Sequence, residues 1–270
     1  MENSINLSFK RHWSGKSILN RNKALYVYLS GTIGQIIITC IVVFLLRSIE
    51  IVLNYSTVLG MLAIGIGGIS SALWGVIVSV NYKKITVKRI LQDFVNIRQS
   101  YSSYLFVVAF LLLDFCYILI GGKFQINVWY MPIIIFLKAT IFGGIEEIGW
   151  RYTFQPILEE KLNYIFSTII TFLSWGIWHF LFFYIDGSLY QIQTGDFLLG
   201  LFTNCFILSA LYNKTNSLWI CVMTHALINT LSQISSGGNE CVSLVCRGII
   251  ILISIFICIK EKRKTKIPSF

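Results

Sequence analysis

Three prolines in 270 residues are too few to punctuate a soluble α/β chain. Charge is scarce too: 13% of residues, about half the share soluble domains carry. Acid is the scarcer sign, with 12 Asp and Glu against 22 Lys and Arg. No Cys-x-x-Cys and no His-Glu-x-x-His occurs, so the standard zinc spacings are absent. There are three histidines, His12, His179 and His225, and any imidazole chemistry must use them. No internal repeat or low-complexity tract is evident. What the chain does have is apolar bulk: 56% hydrophobic residues, mean hydropathy +0.73, and several uncharged runs near 20 residues. Runs of that length suit membrane-spanning helices. The expected fold class is all-α, a polytopic membrane protein.

A net charge of +10 invites a nucleic-acid partner, but the positions of the charges exclude one. They cluster at the ends of apolar runs, as topology signals do. Eight spans are expected, at about 24–46, 57–80, 103–120, 128–154, 164–184, 197–212, 218–232 and 248–259, the last short unless it begins near Val242. With both termini on one side, that side collects eighteen of the 22 Lys and Arg, Arg151 at the inner end of the fourth span included, leaving Arg47, Lys123 and Arg247 opposite and Lys138 deeper inside that span. The positive-inside bias makes that side cytoplasmic. The start reads as a retained basic segment rather than a cleaved signal, because no small-residue cleavage site comes after the first apolar run. The chain divides into a basic segment 1–24, helices one to three over 25–127, a core of helices four to seven over 128–234, and a last helix with a basic tail over 235–270. Residues 85–97 are expected to form a short helix on the membrane surface.

Five cysteines, at 40, 116, 205, 221 and 258, fall in apolar runs and read as small core residues. Cys241 and Cys246 lie in a polar loop, where an oxidising compartment would let them pair.

Against this background, Gly143-Gly144-Ile145-Glu146-Glu147-Ile148-Gly149-Trp150-Arg151 stands out. A charge at the centre of a membrane helix costs roughly 2.5–3.5 kcal/mol on the lenient insertion scale, so both carboxylates need partners, water or a task. Two further stretches offer partners: Trp175-x-x-x-His179 and His225-x-x-x-Asn229. At about 1.5 Å of rise per residue, Glu146 lies about 12–15 Å, His179 about 22 Å and His225 about 12 Å from the cytoplasmic helix ends. Helix tilt would then let the three motifs share one depth. Glu147 and Arg151, at i and i+4, can pair along one face. His225 and Asn229 share a face as well.

Taken singly, each motif is satisfied by a bland role: a polar packing group, a proton relay or a hydrogen-bonded core histidine. Taken together they are chemical equipment. A carboxylate with a histidine can activate water; a histidine with an asparagine can donate to a developing oxyanion. The same groups, as Glu146, His179 and His225, could instead ligate Zn²⁺.

Glu146-Glu147-x-x-x-Arg151, aromatic-x-x-x-His179 and His225-x-x-x-Asn229, in this order, resemble the CPBP family, the CAAX protease and bacteriocin-processing (Abi) intramembrane proteases. The resemblance covers roughly residues 130–232. One departure is visible: Trp175 stands where the family usually has Phe. The resemblance implies an eight-helix fold and hydrolysis of a peptide bond in a membrane-associated peptide or protein. It makes Glu146 the general base, with His179 assisting it. His225 and Asn229 become the oxyanion site, and Glu147 a catalytic helper. Arg151 and Trp175 support the site. Relatives are described both as metalloproteases and as metal-independent glutamate proteases. Prokaryotic relatives are associated with peptide maturation and bacteriocin self-immunity, which points to a prokaryotic plasma membrane. The final Ile-Pro-Ser-Phe is no CAAX box. Two other functions compete: a non-catalytic immunity or regulatory scaffold of the same fold, and a proton-coupled transporter. The transporter lacks the paired broken helices that such proteins use.

Overall fold

A computed structural model describes residues 18–266, with side chains over 20–261. The basic side chains at positions 10, 11, 16 and 262–266, His12, and residues 267–270 lie outside this description. The all-α, polytopic expectation holds. Six described helices are long and apolar enough to cross a membrane: Asn20–Ser48, Val58–Lys83, Tyr101–Leu119, Tyr164–Asp186, Thr194–Thr215 and Glu240–Glu261. The other two expected spans are a run of short helical segments over 131–159 and the 17-residue helix Leu218–Ile234. Large apolar side chains such as Ile38, Leu45, Leu105, Leu252 and Phe256 are exposed in number. Water would penalise so much apolar surface, whereas acyl chains do not.

We label the elements α1 (Ile18–Ser48), α2 (Val58–Gly68), α3 (Ser70–Val78), α4 (Val87–Phe94), α5 (Tyr101–Phe115), β1 (Gly122–Phe124), α6 (Met131–Ala139), α7 (Glu146–Gly149), α8 (Gln155–Glu159), α9 (Tyr164–Asp186), α10 (Thr194–Thr215), α11 (Leu218–Ile234), β2 (Ser235–Gly237) and α12 (Glu240–Lys266). Side-chain caps start several of them. Thr57, Ser100, Asn163 and Ser217 accept the third amide of α2, α5, α9 and α11, satisfying donors that a helix start leaves open. The last helix begins earlier than its apolar run suggests. Asn239 Oδ1 accepts the Val242 amide at 3.1 Å, so Asn239-Glu240 is a cap and first turn rather than loop. A helix within 85–97 is present as the shorter α4, with Ile90 as its one buried residue.

The chain forms two compact units, each described by itself. The first comprises residues 18–90 and Ile148–Phe202. Its core is aromatic: Tyr28 stacks on Phe154 at 5.1 Å and meets Trp150 edge-on at 5.7 Å. α3 crosses the 148–154 segment with backbones nearly touching. A Cβ on Gly75 would lie 2.8 Å from Gly149 Cα, so only glycine fits. Arg47, which reads in sequence as a loop charge, donates to the carbonyls of Tyr184 and Ile185 at the end of α9, the cation a helix C-terminus favours. Gly187, at φ +84°, closes that helix in the left-handed region that favours glycine.

The second unit comprises Leu91–Glu147 and residues 203–266. α11 packs on α6 and the turn after it, and α12 packs along α5. β1 and β2 pair antiparallel, with Lys123 opposite Ser236. Arg247, on α12, is the cation whose charge reaches Asp114 on α5.

The 131–159 run departs from a plain helix. Two π-turns, Thr140–Gly144 and Trp150–Phe154, flank α7. Each adds one residue to a turn and rotates the downstream residues by about 100°. Pro156 does not end the run, which continues to Glu159. Proline has no N–H for the carbonyl four residues back, here that of Tyr152. The ammonium of Lys83 donates to that carbonyl. Lys83 reads in sequence as a cytoplasmic loop charge, yet it is buried at 3% exposure. Lys83→Met removes that buried hydrogen bond and is expected to cost about 1–3 kcal/mol, read as a lower thermal midpoint of the purified protein in detergent.

Candidate active site

The second unit holds Glu146, Glu147, His225 and Asn229; the first holds Arg151, Trp175 and His179. In the second unit the carboxylates begin α7, directly after the π-turn Thr140–Gly144. Both are buried, Glu146 at 5% exposure and Glu147 at 0%. A buried carboxylate is costly unless paired. Glu147 is paired: His225 donates Nδ1–H to its Oε1 at 2.8 Å, and the ring itself is 5% exposed.

That bond orients the rest of the imidazole. With Nδ1 held by Glu147, Nε2 faces the backbone of Gly143. A Cβ built on Gly143 would lie 3.1 Å from His225 Nε2 and 2.7 Å from Asn229 Nδ2. The two nitrogens therefore converge on one spot, and the missing side chain of Gly143 makes the room. The expected common face of His225 and Asn229 on α11 is present. Gly144 plays the neighbouring part: its Cβ would meet Val222 Cγ1 at 2.8 Å, so the Gly-Gly pair seats the chain directly on α11. The particular use of Gly143, as space for two polar nitrogens, needs the register that the π-turn sets.

In the first unit Arg151 is fully buried, its guanidinium 5.0 Å over the ring of Trp175. Trp175 in turn meets His179 at 5.4 Å between ring centroids, and Trp150 lies 6.3 Å from Trp175 on its other side. Stacking on an indole suits a guanidinium, and it holds arginine in an apolar interior. His179 also touches Trp178, Phe183 and Phe197. Trp178 is itself anchored by a 2.8 Å hydrogen bond from its Nε1 to Ser70 Oγ. The Trp175 and His179 spacing thus produces the contact it suggests, and the imidazole is held in an aromatic frame. Two residues of this unit escape sequence reading. Ser70 carries no signal for its role. Lys83 has one, the proline four residues after Tyr152.

The fit to a metal can be tested on the donors themselves. Among the described residues, no three His, Cys, Asp or Glu side chains gather closely enough to hold a metal ion, while a catalytic zinc takes three protein ligands.

Comparison with known proteins bears on these residues. Residues 126–231 match the family model described as type II CAAX prenyl endopeptidase Rce1-like. That interval contains Glu146, Glu147, Arg151, Trp175, His179, His225 and Asn229. The chain is also 24% identical over 155 residues to a protein named CAAX prenyl protease 2 from Methanococcus maripaludis, covering 53% of the present chain and 55% of the relative. It thus spans about half the length of that curated relative. The resemblance to CPBP-type proteases that the three motifs carry is supported by both matches.

Proposed function

We propose that this chain, a multi-pass membrane protein similar to CAAX-type endopeptidases over residues 126–231, is an intramembrane protease. It hydrolyses a peptide bond in a membrane-associated peptide or protein within the bilayer of a prokaryotic plasma membrane. One observation carries this reading: His225, fixed through Nδ1 by Glu147, brings Nε2 together with Asn229 Nδ2 beside Gly143. Two convergent nitrogen donors are what a tetrahedral oxyanion requires.

The groups themselves dictate the chemistry. Glu146 takes a proton from water, and the water oxygen attacks the scissile carbonyl carbon. The carbonyl oxygen becomes an oxyanion, bonded by Asn229 Nδ2–H and, when the ring carries both protons, by His225 Nε2–H. Collapse breaks the C–N bond, and the proton held by Glu146 passes to the leaving amine. Glu147 keeps the His225 ring in place and balances its charge. Family resemblance gives His179 the task of assisting the base, with Trp175 and Arg151 as its support. Water activation by Glu146 supplies the nucleophile without zinc, and preparing the protein with a strong chelator is expected to leave the rate unchanged.

Co-expression with candidate membrane-associated peptides, followed by mass spectrometry of the membrane fraction, tests the proposal. Glu146→Gln is expected to reduce the cleaved product about 10²–10⁴-fold, the usual worth of a general base, at normal protein level. Biological function that survives both Glu146→Gln and His225→Ala would overturn the protease and leave the scaffold reading.

A further inference from the structure

Cys116 and Cys246 are remote in sequence but meet in the second unit. Their Sγ atoms lie 3.0 Å apart, inside ordinary van der Waals contact, and both side chains are half-buried. Cys116 opens the 3₁₀ turn Cys116–Leu119 that comes after α5, and Cys246 sits in the second turn of α12. Neither position is accidental, because this end of the unit is firmly built. Asn239 donates its amide to the Tyr117 carbonyl at 3.2 Å. A Cβ on Gly238 would lie 2.5 Å from Tyr117 Cδ2. β1 and β2 pair beside the turn. The thiols thus face each other across a contact that other bonds already hold.

We propose that Cys116 and Cys246 are a disulfide-forming pair that staples α5 to α12. Sequence alone suggests Cys241 as the partner of Cys246, yet Cys241 is exposed and the thiol against Cys246 is that of Cys116. The charge rule places this end of the helices outside the cytoplasm, where disulfides persist. A bond length near 2.05 Å requires the sulfurs to close by about 1 Å, within reach of side-chain rotation. The oxidant is the disulfide of an extracytoplasmic dithiol carrier. One cysteine thiolate attacks it and forms a mixed disulfide; the second thiolate attacks the protein sulfur of that bond and expels the carrier as a thiolate. The two cysteines lose two protons and two electrons, and the carrier leaves as a dithiol. The loop so closed contains Glu146, His179 and His225, so the staple clamps both ends of the segment that carries the candidate site.

The test uses the full chain in membranes, with free thiols trapped by N-ethylmaleimide before digestion and mass spectrometry. A peptide pair linking Cys116 to Cys246, lost on reduction, is expected, together with free Cys241. Without reductant the protein should run faster on a denaturing gel; Cys241→Ser should keep that shift and Cys116→Ser abolish it. Wild-type protein in which both Cys116 and Cys246 carry maleimide, even after treatment with excess oxidised glutathione, would overturn the proposal. So would a Cys241–Cys246 link. Neither result bears on cleavage by Glu146, so this proposal and the protease assignment fail separately.

Discussion

Glu147→Gln is expected to lower the single-turnover rate of the proposed peptide cleavage by about 10⁴-fold, the loss found when a buried carboxylate that orients a catalytic histidine becomes an amide. The reason lies in one bond. Glu147 is fully buried and accepts the Nδ1–H of His225 at 2.8 Å. A glutamine there has two options. Its oxygen can accept the same proton, but it brings no negative charge to balance a doubly protonated ring. Its NH₂ can instead donate to Nδ1, which forces the neutral tautomer. Either way the cationic donor at Nε2, beside Asn229 and Gly143, is lost. The effect should fall on the rate and not on substrate affinity, because the oxyanion exists only in the transition state. Because Glu147 and His225 act as one unit, Glu147→Gln combined with His225→Ala should be little slower than either alone. Multiplicative losses, or activity within about fivefold of wild type in Glu147→Gln, would show that the pair serves structure only. A thermal midpoint for each variant separates rate from fold.

The second large effect concerns the fold under the site. Gly149→Ala is expected to destabilise the protein by about 3 kcal/mol, the upper end of overpacking costs, and to lower its yield in membranes. The added Cβ would lie 2.4 Å from the Ser71 carbonyl oxygen and 2.4 Å from Tyr28 Oη. A tyrosine ring can swing aside in a loose core, but Tyr28 is wedged between Trp150 and Phe154. The Ser71 carbonyl is part of α3 and cannot yield without moving the helix. Gly34→Ala is the matched control. Nothing lies within 4 Å of its Cβ, and the lower chain entropy of alanine in a helix is worth up to about 1 kcal/mol. Thermal unfolding in one detergent should place Gly149→Ala well below and Gly34→Ala at or above wild type. Equal midpoints would mean that α3 and the 148–154 segment are not in contact as described.

The helical, membrane-spanning class is legible from composition alone, because apolar run length and charge position are set directly by the bilayer's thickness and electrostatics. The site residues are legible for a related reason: a Glu-Glu pair or a histidine in an apolar run is expensive, so its presence calls for a partner. The i, i+4 arithmetic works for Trp175 with His179 and for His225 with Asn229, since each pair lies within one regular helix. It says less about the 131–159 run, where two π-turns reset the angular step. The second of them is set against contacts remote in sequence, the Thr153 hydroxyl meeting the Gly75 carbonyl and Ser79. No local pattern announces them.

Lys83 and Cys246 make the same point from charge and from sulfur. Both read as loop residues by neighbourhood. Lys83 goes inside, where its ammonium donates to the carbonyl of Tyr152, far along the chain. Cys246 meets Cys116 instead of its near neighbour Cys241 because Asn239 starts α12 early and turns residue 246 toward α5. The amino-acid order by itself determined the class, the apolar spans and which ionisable groups fall inside them, since those depend on transfer energies that each residue carries with it. Which nitrogen of His225 is engaged, where Gly143 makes room, and which cysteines touch were decided only by the tertiary structure, because they depend on helix register, and packing between distant segments sets it.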